Sequence, residues 1–232
     1  MPCSEINERI LSKIGEFSSF KHEMKDFSVV ATITDEEVDQ IVESLDTFQH
    51  KIGRKKLNIG GLGELMVSSI LGLSILSGQT TRGPDAVLLK DTHKLRRGRY
   101  QIKYRNWDTS DIVFRIDVDK EGKSLEKYSW DYLLIATHER SIAPNRFFCL
   151  PVKEVIRMSE ILIEKNNIVD LVPNSSKNKS TNYFLFRLNW TWDRNNNIGC
   201  TGRKREKILE RYEVISSTKR HPVNIIEYSG ST

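Results

Sequence analysis

The chain has 232 residues, 38% of them hydrophobic and 29% charged, and carries a net charge of +5. That composition supports a packed core and argues against an intrinsically disordered chain, and no run approaches the roughly 18 apolar residues of a membrane helix. The start, MPCSEINERIL, has acids where a signal peptide is basic, and Cys3, Cys149 and Cys200 are scattered with no CxxC pair; neither a disulfide scaffold nor a thiolate zinc site is expected, and the cytoplasm is the default compartment.

SEINERILSKIGEF (4–17) repeats apolar residues at Ile6, Ile10, Ile14 and Phe17, which is helical spacing with Ser4 as N-cap. Thr34 and Glu37 form a capping-box pattern ahead of a stripe at Val38, Ile41, Val42, Leu45 and Phe48, so residues 1–50 read as a helical N-terminal region. KIGRKK (51–56) is the first of three basic clusters, the others being HKLRRGR (93–99) and GRKREK (202–207). One such cluster alone is most simply a solvated turn; three together point to nucleic acid as partner.

Glycines 60, 61 and 63 suggest a tight entry into a helix over 62–71, and the absence of GK[ST] and of a complete GxGxxG argues against a nucleotide cradle. DAVLLK (85–90) and RYQIKYR (99–105) flank the second basic cluster as a candidate hairpin, and DIVFRIDVD (111–119) alternates cleanly. A short polar helical stretch is expected near 121–129. DYLLIATH (131–138) has the continuous apolar run of a buried strand, RFFCLPV (146–152) is a further strand, and KEVIRMSEILIEK (153–165) an amphipathic helix. An aromatic strand YFLFRLNWTW (183–192) follows polar loops. The succession predicts an α/β domain with a mixed sheet.

Glu64, Asp85, Gln101 and Lys103 form the candidate site. Gln101 and Lys103 are two apart on a strand and project from one face, Asp85 opens the preceding strand, and Glu64 sits on the helix before it. Two acids, an amide oxygen and a lysine suit metal-assisted phosphodiester hydrolysis: hard oxygens favour Mg²⁺, and an ammonium offsets developing negative charge. The alternatives are plain ones, because Gly-Pro-Asp is ordinary turn chemistry and Glu64 is well placed as a first-turn acid. No HExxH or GxSxG pattern competes, and Cys149 and His138 read as structural residues of apolar strands.

Pro84-Asp85, Gln101-Ile102-Lys103 and the upstream Glu64 resemble the PD-(D/E)XK nuclease superfamily, type II restriction endonucleases in particular, in a QxK variant. The resemblance spans about 57–152. It implies a restriction-endonuclease-like mixed β-sheet core flanked by helices. The residues outside that span resemble no family, and the whole chain reads as one nuclease domain: a helical N-terminal region (1–56), a catalytic core (57–166) and a β-containing, DNA-contacting C-terminal extension (167–232). It also implies Asp85 as principal metal ligand, the Gln101 side chain and Ile102 carbonyl completing the shell, Lys103 orienting the attacking water, and Glu64 binding metal or water. Gln101 departs from the usual acid of the second motif, which lowers the expected metal affinity.

The implied activity is Mg²⁺-dependent, site-specific cleavage of double-stranded DNA by a homodimer, since a palindromic target calls for two sites about a twofold axis. A structure-specific repair or junction nuclease of the same fold, or a catalytically silent DNA-binding protein, are the alternatives. Arg82, Lys94, Arg96, Arg97, Arg99 and Arg105 are candidate DNA contacts around the hairpin. Arg194, Asn195, Asn196, Arg203, Lys204 and Arg205 are candidates in the C-terminal stretch, which reads equally well as a flexible surface loop.

Overall fold

The computed structural model describes residues 8, 11, 12, 14, 17, 19–52, 60–77, 83–106, 112–118, 129–138, 142–161, 172–173, 182–188, 211–214 and 219–229. Among the described residues eleven strands form two sheets. The larger has the order β1 (Phe27–Ile33), β11 (Val223–Tyr228), β2 (Ser74–Leu76), β3 (Ala86–Leu88), β4 (Gly98–Asn106), β6 (Tyr132–His138) and β7 (Arg146–Pro151). β11 runs parallel to β2 and β4 parallel to β6, while the other neighbours are antiparallel, so the sheet is mixed, as expected. The smaller sheet centres on β10 (Asn182–Leu188), which pairs with β5 (Ile112–Val118), β8 (Glu160–Ile161) and β9 (Val172–Pro173).

The pleat divides the core between two layers. Tyr100, Ile102, Tyr104, Leu134 and Ala136 face α1 (Asp35–Ile52) and α2 (Gly60–Leu71), packing with Val38, Met66 and Val67. Leu133, Ile135, Phe148 and Leu150 face the smaller sheet and α3 (Val152–Met158), packing with Phe114, Ile116 and Phe186. β6 is buried on both faces, which is why its sequence is uninterrupted apolar rather than alternating. Among the described residues no helix is long and apolar enough to cross a membrane.

The hairpin expected at 85–105 is present as β3 and β4, with Ala86 opposite Tyr100 and Leu88 opposite Gly98. The capping box is present too: Glu37 N–H donates to Thr34 Oγ1 (3.2 Å) and Thr34 N–H to Glu37 Oε2 (2.8 Å).

Several expectations are corrected. The N-terminal region is not all helical, because FSVVATI forms β1, an edge strand paired to β11. The strand expected at 111–119 is present as β5, but in the second sheet, apart from the hairpin. The helix expected over 153–165 ends at Met158: Ser159 N–H donates to the Ile156 carbonyl and its hydroxyl to the Val155 carbonyl, turning the chain into β8. The strand expected over 183–192 is present over Asn182–Leu188 as β10, its residues 189–192 lying outside the described residues, and β2 and β11 were not expected at all. The helical stretch near 121–129, most of 4–17 and most of the C-terminal extension lie outside the described residues.

Candidate active site

Asp85 is placed by the turn that precedes β3. Gly83 adopts φ +89°, a left-handed conformation that favours glycine, and Pro84 then fixes the approach to the strand. Asp85 N–H donates to the Tyr100 carbonyl (2.8 Å), and Leu76 N–H donates to the Asp85 carbonyl (3.1 Å), so the residue is stitched to strands on both sides. Its carboxylate accepts the Ile102 N–H (2.6 Å) and the Gln101 side-chain amide. The hairpin register therefore closes Asp85 onto the QxK segment. In an extended strand the N–H and C=O of one residue point to the same side, so the Ile102 carbonyl faces the edge at which its N–H meets Asp85.

Glu64 arrives from the opposite layer. α2 lies unusually close to β4 because Gly63 has no side chain: a Cβ there would overlap the Tyr104 ring. The neighbouring Glu64 is thereby brought into electrostatic range of both Asp85 and Lys103. Burial, then the charge of Asp85, push the Glu64 carboxyl up to about 7 against the partial relief from Lys103. Burial raises Asp85 to about 6, opposed by Lys103, the Ile102 N–H and the Gln101 amide. Burial also lowers Lys103; Asp85 counters this most, Arg105 reinforces it, and Glu64 counters it further. All four expected site residues, Glu64, Asp85, Gln101 and Lys103, thus converge.

The donor set fits a hard divalent cation. Two carboxylates share one lysine, so the ionised cluster carries excess negative charge in a partly desolvated place, and every available donor is oxygen. Among the described residues no three His, Cys, Asp or Glu side chains group as a metal centre. The remaining ligands would be the Ile102 carbonyl, the Gln101 oxygen and water, in keeping with a Mg²⁺ that keeps several waters. Gln101 meets Asp85 through its amide nitrogen, and a half-turn of that amide presents the oxygen instead.

The expected DNA contacts fare unevenly. Arg99 is corrected: it is buried, and its guanidinium binds both oxygens of Asp131 (3.1 and 3.2 Å) while its N–H takes the same carboxylate (2.8 Å). It is a strut between β4 and the start of β6. Arg96 and Arg97 are exposed on the turn, where Asp91 holds the Arg96 side chain (3.2 Å) and the Arg97 N–H (2.5 Å), and the Arg97 guanidinium donates to the His22 carbonyl. Lys94 is half-buried beside the buried anchor Leu95. Arg105 lies on the same face of β4 as Gln101 and Lys103 and donates to the Tyr104 carbonyl (2.9 Å). Arg82, Arg194, Asn195, Asn196, Arg203, Lys204 and Arg205 lie outside the described residues.

The rival groups are inert in place. Burial pushes the Cys149 thiol up to about 12, far from thiolate chemistry. His138 stacks on Tyr104, ring centroids 4.7 Å apart, at the strand end where it was expected to be structural. Asp131 is the partner that sequence reading missed; its place one residue before an apolar strand was the available signal. Comparison of the chain with protein-family models and with curated proteins gives no match.

Proposed function

We propose that the chain is a Mg²⁺-dependent, site-specific endonuclease of double-stranded DNA, of the restriction type. The observation that carries this reading is the convergence of two burial-perturbed carboxylates and a half-buried lysine where β3 meets β4, with Gln101 and the Ile102 N–H fixed onto Asp85.

Asp85, Glu64, the Gln101 oxygen and the Ile102 carbonyl would hold a Mg²⁺, which supplies a water of lowered pKa and offsets charge on the phosphate. Lys103 orients the attacking water and balances the charge that grows on the phosphoryl oxygens. Its partial burial keeps the ammonium close to the reaction and restrains it from straying into solvent. Water loses a proton to solvent as its oxygen bonds to phosphorus, the bond to the leaving ester oxygen breaks, and that oxygen takes up a proton from solvent. Arg105, next on the same strand face, is placed to meet a phosphate of the same strand. The exposed Arg96 and Arg97 give salt-dependent grip.

The test is incubation of the purified protein with plasmid and phage DNA in Mg²⁺ or EDTA, beside Asp85→Ala. Discrete Mg²⁺-dependent bands that vanish in the variant are expected. A metal-dependent smear, or cutting only of branched DNA, would move the reading to a repair or junction nuclease. Binding without cleavage under any metal would make the chain a silent DNA-binding relative of such enzymes.

A further inference from the structure

α2 carries two polar groups that the protein around them leaves unanswered. Ser68 is fully buried, yet its hydroxyl meets no hydrogen-bond partner among the described residues. The usual outlet for a buried helical serine is the carbonyl four residues back, here that of Glu64, and the hydroxyl does not take it. The adjacent Ser69 shows the contrast: its hydroxyl donates to the His221 carbonyl (2.9 Å), and the His221 N–H donates to the Ser69 carbonyl (2.8 Å). Buried polar groups in native proteins are nearly always paired, with protein or with held water, so the Ser68 hydroxyl calls for a partner. Packing does not explain it either. An alanine there would avoid the cost of burying a hydroxyl and is the better helix former.

The second group is Glu64, one turn earlier on the same helix. Residues four apart share a helix face, and a helical side chain leans over the turn before its own Cα, so Ser68 covers the ground beside Glu64. The Glu64 carboxyl is acted on by burial and by the charges of Asp85 and Lys103, with no hydrogen bond holding it among the described residues. Asp85, by contrast, is gripped by the Ile102 N–H (2.6 Å) and by the Gln101 amide. One acid of the site is therefore fixed by hydrogen bonds and the other is not. Glu64 leans the same way as Ser68, which carries its carboxyl ahead of the hydroxyl, and the two do not meet directly.

We propose that Ser68 is a positioning residue for Glu64: one buried water accepts the Ser68 hydroxyl and donates to the Glu64 carboxylate, holding it toward Asp85 and Lys103. The donor and acceptor inventory closes, since a serine hydroxyl donates, a water does both, and a carboxylate only accepts. The bridge gives the acid on the helix the fixed direction that Asp85 already has from its own partners. Its purpose rests on the nuclease reading, in which Glu64 meets the metal; the bridge itself does not.

Two measurements test it, and neither uses DNA. The first is a crystal structure of the metal-free protein at a resolution that shows ordered water. A water within hydrogen-bond reach of both Ser68 Oγ and a Glu64 carboxylate oxygen is expected, and without one the proposal falls whether or not the chain cuts DNA. The second is Mg²⁺ binding by calorimetry to the wild type, Ser68→Ala, Glu64→Ala and the double variant. Ser68→Ala should stay folded by circular dichroism and bind Mg²⁺ about tenfold more weakly, or ~1.4 kcal/mol. In the Glu64→Ala background the same change should do nothing further, because the group it acts through is gone. An equal loss in both backgrounds, or no loss from a wild type that binds, would assign the hydroxyl to packing alone and overturn the proposal. A wild type that takes up no Mg²⁺ would instead sink the nuclease reading and leave the crystallographic water to decide this one.

Discussion

At the scale of single residues, the site is defined by acids that are costly to ionise. Glu64 and Asp85 rise from ordinary values of 4.5 and 3.8 to about 7 and about 6, chiefly through burial. A carboxyl whose folded value lies above its unfolded one holds its proton better in the folded state. Its contribution to stability is therefore full below about pH 4 and is lost as pH rises through 6 to 7. Glu64→Gln and Asp85→Asn should accordingly gain on the wild type, by a few degrees in thermal midpoint, between pH 5 and pH 8 in EDTA, and millimolar Mg²⁺ should narrow that gap at pH 8 by stabilising the wild type alone. A midpoint difference that is flat with pH would show that the two acids are already relieved by protein partners. Arg99 carries the opposite lesson. Removing Asp131 leaves a buried guanidinium without its carboxylate, so Asp131→Ala should cost about 3–5 kcal/mol in guanidinium unfolding, whereas Arg96→Ala on the exposed turn should cost almost nothing. Arginine in a basic cluster reads as surface in a sequence; only the fold reveals that the cluster's last arginine already lies in β4 and is buried.

At the scale of elements, the closeness of α2 to β4 positions Glu64. Gly63→Ala adds a methyl where the Tyr104 ring already sits, so the helix must move or the ring must turn. Overpacking of this kind costs about 1–3 kcal/mol, and the same shift displaces Glu64 from Asp85 and Lys103. Gly63→Ala should therefore lose cleavage activity out of proportion to its loss of stability, as judged on samples shown to be folded by circular dichroism; equal losses would deny α2 a positioning role. The hairpin, the capping box and the buried β6 were legible because each has a local signature: turn residues between alternating runs, Thr–Glu spacing, a continuous apolar run. β1 was not, because exposed side chains on both of its faces leave no alternation to read. β11 was hidden for another reason: it enters the sheet between β1 and β2, far from both in sequence, and no local pattern encodes a partner at that distance. Of the site, Asp85, Gln101 and Lys103 were readable from strand spacing, while the approach of Glu64 depends on a glycine whose purpose is visible only against Tyr104.

At the scale of the whole molecule, the modest positive charge has a definite place to act. Arg96 and Arg97 stand exposed on the turn that joins β3 to β4, the two strands that carry the site. If each neutralises one phosphate, replacing both with alanine should reduce the slope of log affinity against log salt by about 2, measured by fluorescence anisotropy of a duplex in Ca²⁺. The loss should be uniform across sequences, because phosphate contacts position a duplex without reading it. A sequence-dependent loss would instead mean that the turn enters a groove.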